Sequence, residues 1–230
     1  MSSVESLFTQ ISPTYDTINH LLSLGQDLAW RKRAIRELPW QRDASFRVLD
    51  LCAGTLDYGL QLSAYYPHAE VHALDFSHAM LTHGLPKIPP RARDRHPLYC
   101  ADACALPFRD GSFDLVICAY GMRNIPQPLH ALAETRRVLK PGGYVSILEF
   151  FKPISFISKL FYQTYGRTLM PLVGGAISRN PAAYRYLMRS IATYFTVPEF
   201  KLLLETNGLK FIKNKEFIHG ISTLIIGRKS

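Results

Sequence analysis

Val48-Leu-Asp-Leu-Cys-Ala-Gly-Thr-Leu-Asp57 decides how the chain is read. Arg47 to Cys52 is a short β-rich run, Ala53-Gly54-Thr55 is a turn of small residues, and Leu56 to Tyr66 is patterned as a helix. A strand running through such a turn into a helix lets a ligand approach the backbone closely, with the helix N-terminus behind it. The rhythm continues downstream. Glu70–Asp75 reads as a strand, and Ser77 caps a helix that starts at His78. Pro97–Ala101 is a brief strand, Phe113–Ala119 a buried one, and Pro128–Leu139 a helix. Lys140-Pro-Gly-Gly143 breaks it before the strand Tyr144–Glu149. Strands alternating with helices predict an α/β fold, a Rossmann-like parallel sheet with right-handed crossovers.

Upstream, Phe8, Ile11, Tyr15, Ile18 and Leu22 recur at spacings of three and four, a one-faced helical pattern that Pro13 interrupts. Gly25 ends that helix, and Leu28–Leu38 reads as another, with Arg31, Lys32, Arg33 and Arg36 exposed. Residues 154–195 depart from the alternation. They are helical, apolar and aromatic, with scattered cations, and read as an inserted lid. Pro198–Thr206 is a helix ended by Asn207-Gly208, and Leu209–Phe217 and Ile221–Gly227 form a closing pair of strands. The expected organisation is one domain: N-terminal helices (1–40), cofactor-binding core (46–152), helical insertion (153–195), and closing helix and strands (196–230).

Asp75 ends the second strand, 21 residues after Gly54. That spacing suits a carboxylate bonding the two ribose hydroxyls of a nucleotide. A dinucleotide site wants G-x-G-x-x-G, whereas this loop has one glycine and is flanked by carboxylates. Carboxylates disfavour a pyrophosphate and suit the ammonium of an amino acid. The expected ligand is therefore S-adenosylmethionine, with Asp102, at the end of the third strand, placed to bond an adenine amino group. The histidines show no pair at ligand spacing, so no metal is expected. Cys52, Cys100, Cys104 and Cys118 contain no CxxC and read as buried, reduced thiols.

Further elements are Asp50-Leu-Cys-Ala-Gly-Thr55, Ala105-Leu-Pro-Phe108, Gly121-Met-Arg-Asn124, Arg137-Val-Leu-Lys-Pro-Gly-Gly143 and Leu148-Glu-Phe-Phe-Lys-Pro153. In these the chain resembles the ubiquinone/menaquinone-biosynthesis C-methyltransferases. Phe8–Asp16 and Asn180–Ser190 extend the likeness to nearly the whole chain. The resemblance implies that Thr55, Asp75, Asp102 and Ala103 hold the methyl donor, beside Asp50 and Gly54. It implies methylation of a ring carbon on a prenylated quinol. Arg123 is expected to stabilise a developing phenolate, with Asn124 and Tyr15 orienting the quinol oxygen. Two positions depart from the family's pattern: Leu56 stands where it usually has Gly, and Tyr58 where it has a small residue. A side chain at 56 is expected to crowd the methionine end of the cofactor or to demand an altered backbone angle.

The charge is unevenly spread. Residues 1–150 carry 15 basic and 15 acidic side chains, and residues 151–230 carry 12 and 3. The surplus is either a solvated surface or a face for a polyanion. Apolar residues with cations in 154–195 suit a peripheral contact with anionic lipid, and equally an ordinary lid. With no secretory signal and no apolar run of about 18 residues, the expected location is cytoplasmic, peripheral at the inner membrane face. The expected substrate is demethylmenaquinol, because the extra N-terminal stretch often seen in family members serving ubiquinone is lacking. A prenylated methoxy-benzoquinol is the alternative. A nucleic-acid methyltransferase is the competing class, although Gly-Met-Arg-Asn stands where an Asn/Asp-Pro-Pro-Tyr motif belongs. Nucleic acid is thus not an expected partner, and a homodimer is left open.

Overall fold

The computed structural model describes residues 9, 12, 14–164 and 181–230. Phe8, Ile11, Pro13, Arg167, Arg179 and Asn180 lie outside them, as do the side chains of Ile18 and Leu22. Two N-terminal helices, α1 (Tyr15–Leu22) and α2 (Gln26–Ile35), precede the alternation β1 (Arg47–Leu51), α3 (Asp57–Tyr65), β2 (Glu70–Asp75), α4 (His78–Gly84), β3 (Leu98–Cys100) and β4 (Phe113–Ala119). Then come α5 (Pro128–Val138), β5 (Leu139–Glu149), α6 (Phe156–Phe161), α7 (Pro181–Thr193), α8 (Val197–Thr206), β6 (Leu209–Phe217) and β7 (Ser222–Lys229).

The seven strands form one sheet in the order β3-β2-β1-β4-β5-β7-β6. The first five in that order are parallel, and β7 and β6 close the sheet antiparallel. Both faces are covered, as the continuous apolar runs of the strands require. On β4, Leu115 and Ile117 pack with Trp30, Ile35 and Leu62 of α2 and α3. Val116 and Cys118, one residue out of phase, pack with Leu132 and Val138 of α5 and Phe200 and Leu204 of α8. The period of two thus divides one strand between two cores.

Several elements differ from expectation for identifiable reasons. β5 begins at Leu139, so Lys140-Pro-Gly-Gly143 lies within the strand. A register shift between Phe113 and Leu115 accommodates it. Arg31 is buried rather than exposed, because Asp27 four residues earlier pairs with it at 2.5 Å. Of the thiols only Cys118 is buried, and Cys100 at the end of β3 is exposed. α8 opens with a capping box between Thr196 and Glu199. β6 is the outer strand at one edge, and its lysines 213 and 215 both reach Glu37, at 2.7 and 2.5 Å. Charged side chains on an outer strand discourage pairing with another chain. Part of the C-terminal basic surplus is explained there. Among the described residues no helix is long and apolar enough to cross a membrane.

Candidate cofactor and acceptor site

The strand order reverses between β1 and β4, where open α/β sheets bind ligands beyond the carboxyl ends of the strands. A cavity of about 470 Å³ opens there. That is within the range of small-molecule sites. Its wall brings together Tyr15, Gly54, Asp75, Asp102, Ala103 and Asn124. Thr55, Asp50 and Arg123 are not on the wall.

Asp75 ends β2 and is almost fully buried. Its Oδ2 accepts the Gly54 N–H at 2.8 Å and its Oδ1 the Ser77 N–H at 2.8 Å. Burial pushes its carboxyl up from the ordinary range, and the backbone donors pull the other way. The Phe76 N–H bonds it as well, which leaves about one acceptor position for a further donor. The exposed Asp102 folds its carboxylate over the Cys104 N–H at 2.8 Å. Cys52 and Tyr120, also on the wall, both hold positive φ, 57° and 60°. Strained backbone at non-glycine residues gathers at functional sites. Gly121 permits this packing, since a Cβ there would lie 2.3 Å from Cys52 Cβ.

Leu56 takes the left-handed conformation, φ 73°, which is the altered backbone angle anticipated for it. Its side chain does not reach the cavity. It packs with Ala73, Leu81 and Ile88 and is fully buried. A Cβ on Gly84 would meet Leu56 Cγ at 2.6 Å, so the glycine makes room for the leucine. The strain, about 1–2 kcal/mol for an L-residue in this region, is offset by burying an isobutyl group.

The residues off the wall support it. Asp50 is buried and accepts the Gly59 N–H at 2.9 Å. The Thr55 hydroxyl donates to Asp16 Oδ1 of α1 at 2.5 Å. Asp16 Oδ2 pairs with Lys87 Nζ at 2.5 Å, and Lys87 also holds Asp57 at 2.8 Å. His20 joins the cluster through Asp57 at 3.4 Å and Asp27 at 2.8 Å. Asp16, His20 and Lys87 escaped the sequence reading. Apart from Asp27, seven residues from His20, their partners are 30 or more residues away, and no local spacing marks them.

On the acceptor side, Arg123 sits in the turn after β4. Its Nη1 lies 2.7 Å from Oε1 of the fully buried Glu149, and it also donates to Tyr120 O. Its Nε donates to Ser190 Oγ at 3.3 Å, and its guanidinium lies over the Phe150 ring. Glu149 Oε2 takes the Arg123 N–H at 3.2 Å, so the same carboxylate fixes the turn. Asn124 Nδ2 donates to Tyr120 O, and its Oδ1 accepts from Tyr186 Oη at 3.1 Å. Burial pushes the Tyr15 phenol up, while the charges of Arg123 and Arg31 pull it down. Arg123 thus lies behind the cavity wall, next to Tyr120 and Asn124 that form it.

Comparison with known proteins agrees with this architecture. The model of the ubiE/COQ5 methyltransferase family matches residues 1–229. The chain is 40% identical over 224 residues to a ubiquinone/menaquinone biosynthesis C-methyltransferase UbiE of Syntrophotalea carbinolica, covering 97% of this chain and 93% of that one. It is 39% identical over 221 residues to a demethylmenaquinone methyltransferase of Thermus thermophilus, covering 96% and 99%. A solved phosphoethanolamine N-methyltransferase 2 of Haemonchus contortus, in complex with S-adenosyl-L-methionine, shares the fold with a TM-score of 0.71 at 15% identity. That match covers 100% of this chain and 60% of that one.

Proposed function

The chain belongs to the ubiE/COQ5 methyltransferase family, and from that membership we propose that it transfers a methyl group from S-adenosylmethionine to a ring carbon of demethylmenaquinol. The carrying observation is the whole-length family match on a chain whose cavity holds a buried carboxylate at the end of β2. Relatives from Thermus thermophilus and Bacillus cytotoxicus are named for demethylmenaquinone alone, which favours the naphthoquinol ring over the benzoquinol.

The residues fit the cofactor. Asp75 offers its remaining acceptor position to a ribose hydroxyl, Asp102 and Ala103 stand where an adenine would end, and Gly54 lets the ligand pass close to the backbone. Thr55 and Asp50 act from behind, holding the turn and the start of α3. S-adenosylmethionine supplies an electrophilic methyl group on a positively charged sulfur. This chain must make the ring carbon nucleophilic, which requires a neighbouring phenol to lose its proton. The Tyr15 phenol, held protonated by burial, donates to a quinol oxygen, and Asn124 fixes its direction. Arg123 supplies positive charge behind that oxygen but does not take the proton. Its guanidinium is paired with Glu149 and stays protonated, so the proton leaves through water. Placement is the larger contribution of these groups, since it removes the search for an in-line approach.

The apolar substrate implies that the enzyme meets it at a membrane, docking peripherally on anionic lipid from the cytoplasmic side. The test of the reaction is direct. Purified protein with S-adenosylmethionine is offered demethylmenaquinol, a demethylated methoxy-benzoquinol and RNA, and products are read by mass spectrometry. Methylation of the naphthoquinol on carbon is the expected result. Methylation of RNA alone, or of no quinol, overturns the proposal.

A further inference from the structure

A second cavity lies behind the acceptor side. It has a volume of about 60 Å³, and Phe150, Phe151, Leu187, Met188, Ile191 and Ile221 form most of its wall. Its two hydroxyls are turned into the protein: Ser158 Oγ donates to Ser155 O at 3.1 Å, and Tyr162 Oη donates to Met188 O. Among the described residues no carboxylate, histidine, lysine or arginine lines it. The wall therefore presents carbon, and a sugar, phosphate or amino-acid group would lose its hydration there without replacement.

The position of this cavity matters as much as its chemistry. The Phe150 ring stacks on Tyr120 with centroids 4.5 Å apart, and Tyr120 is on the wall of the cofactor cavity. One pair of rings thus separates the two spaces. α7 borders both. Its Tyr186 reaches Asn124 on the first wall, and the following Leu187 and Met188 line the second. On the outer side, Pro153 and Ser158 of the wall alternate with Ile154, Phe156, Ile157 and Leu160, which are 49–80% exposed. Carbon surface thus runs from the second cavity outward to solvent, and on its inner side only the Tyr120–Phe150 pair stands between it and the first.

We propose that this cavity is the subsite for the first part of an isoprenoid tail on the substrate, a reading that rests on the prenylated-quinol assignment above. The volume excludes a ring. A dry cavity that takes a benzene is about 150 Å³, so this space of about 60 Å³ holds only a methyl-bearing part of one branched unit, with the rest of the chain continuing over the exposed apolar side chains. An apolar cavity of this kind also costs stability when empty, which a tail in place would recover.

Two plugs from different elements test it, Leu187→Trp on α7 and Ile221→Trp before β7. Both positions are partly exposed, so a larger ring can enter the cavity without displacing the core. Farnesol is the probe, with binding measured by calorimetry and folding checked by circular dichroism. Wild type should bind farnesol, and each plug should weaken it about tenfold or more, the effect of losing burial of a few methylene-sized groups. In turnover, each plug should lower kcat/KM for long-tailed demethylmenaquinol and leave tail-less naphthohydroquinol and the KM for S-adenosylmethionine unchanged. Farnesol binding that is absent, or equal in wild type and both folded plugs, overturns the subsite. So does an equal loss on both acceptors. Failure of wild type to methylate any quinol while farnesol binding remains plug-sensitive would remove the reaction and leave the isoprenoid site standing.

Discussion

Asp50 is conspicuous in sequence, and the structure places it off the cavity wall. It opens the Asp-x-x-x-Gly-Thr element, yet it lies behind the turn and accepts the Gly59 N–H. Burial pushes its carboxyl up to about 7, ahead of the opposing effects of the Gly59 bond and Arg31. In the unfolded chain it ionises near 3.8. The folded state therefore holds the proton more tightly, and the group's contribution to stability is complete below pH about 4 and lost as pH rises to about 7. Asp50→Asn keeps a carbonyl acceptor and cannot ionise. Its stability should match wild type near pH 4 and exceed it increasingly towards pH 7, by up to about 4 kcal/mol at 1.36 kcal/mol per unit. Urea unfolding at a series of pH values reads the gap, and a constant gap would show that Asp50 does not carry this proton. Asp75, Gly54 and Asp102 were legible because strand ends in a βα fold come in chain order, so local patterns suffice. The conformation of Leu56 was legible only as a conflict, a side chain where a left-handed turn prefers glycine. Its resolution needed Leu81, Ile88 and the space left by Gly84.

At the scale of elements, the parallel strands declared themselves as short apolar runs, and Ser77 marked the start of α4 as read. The attachment of α1 did not. Asp16 meets Thr55 and Lys87, 39 and 71 residues away, and no periodicity encodes such a meeting. The Lys87 ammonium lies between Asp16 and Asp57 and ties α1, the cofactor turn and the segment after α4 together. α1 carries Tyr15 onto the cavity wall, so this ion cluster sets how firmly the wall closes. Lys87→Met leaves Asp16 and Asp57 without the ammonium that bridges them. For partly exposed pairs the loss is about 1 kcal/mol, so affinity for S-adenosylmethionine should fall roughly fivefold, with Lys87→Arg restoring most of it. Hydrogen exchange in residues 15–22 should quicken in Lys87→Met while exchange in β1 and β4 stays as in wild type. Unchanged exchange in α1 would mean that packing alone seats the helix.

For the whole molecule, two groups within the described part of the basic surplus have different physics. Lys213 and Lys215 on β6 are already paired with Glu37 and guard an outer strand. Lys152, Lys159, Arg185 and Arg189 are exposed around α6 and α7, beside Ile154, Phe156, Ile157 and Leu160. Only the second group combines cations with unpartnered carbon, the combination that holds a protein on an anionic bilayer. Each such cation contributes about 1 kcal/mol near the surface, and the apolar side chains add a term that salt does not screen. Whole protein should therefore pellet with vesicles containing phosphatidylglycerol at low ionic strength. Binding should weaken as the Debye length shrinks towards about 3 Å at 1 M salt. Phe156→Ser with Ile157→Ser should reduce what remains at high salt and leave the fold intact, because both side chains are more than half exposed. Lys213→Gln with Lys215→Gln should leave vesicle binding as it is. Were the β6 pair to abolish binding instead, or the low-salt sample to stay in the supernatant, α6 would be no membrane contact. The quinol would then have to be carried to the cavity by another route.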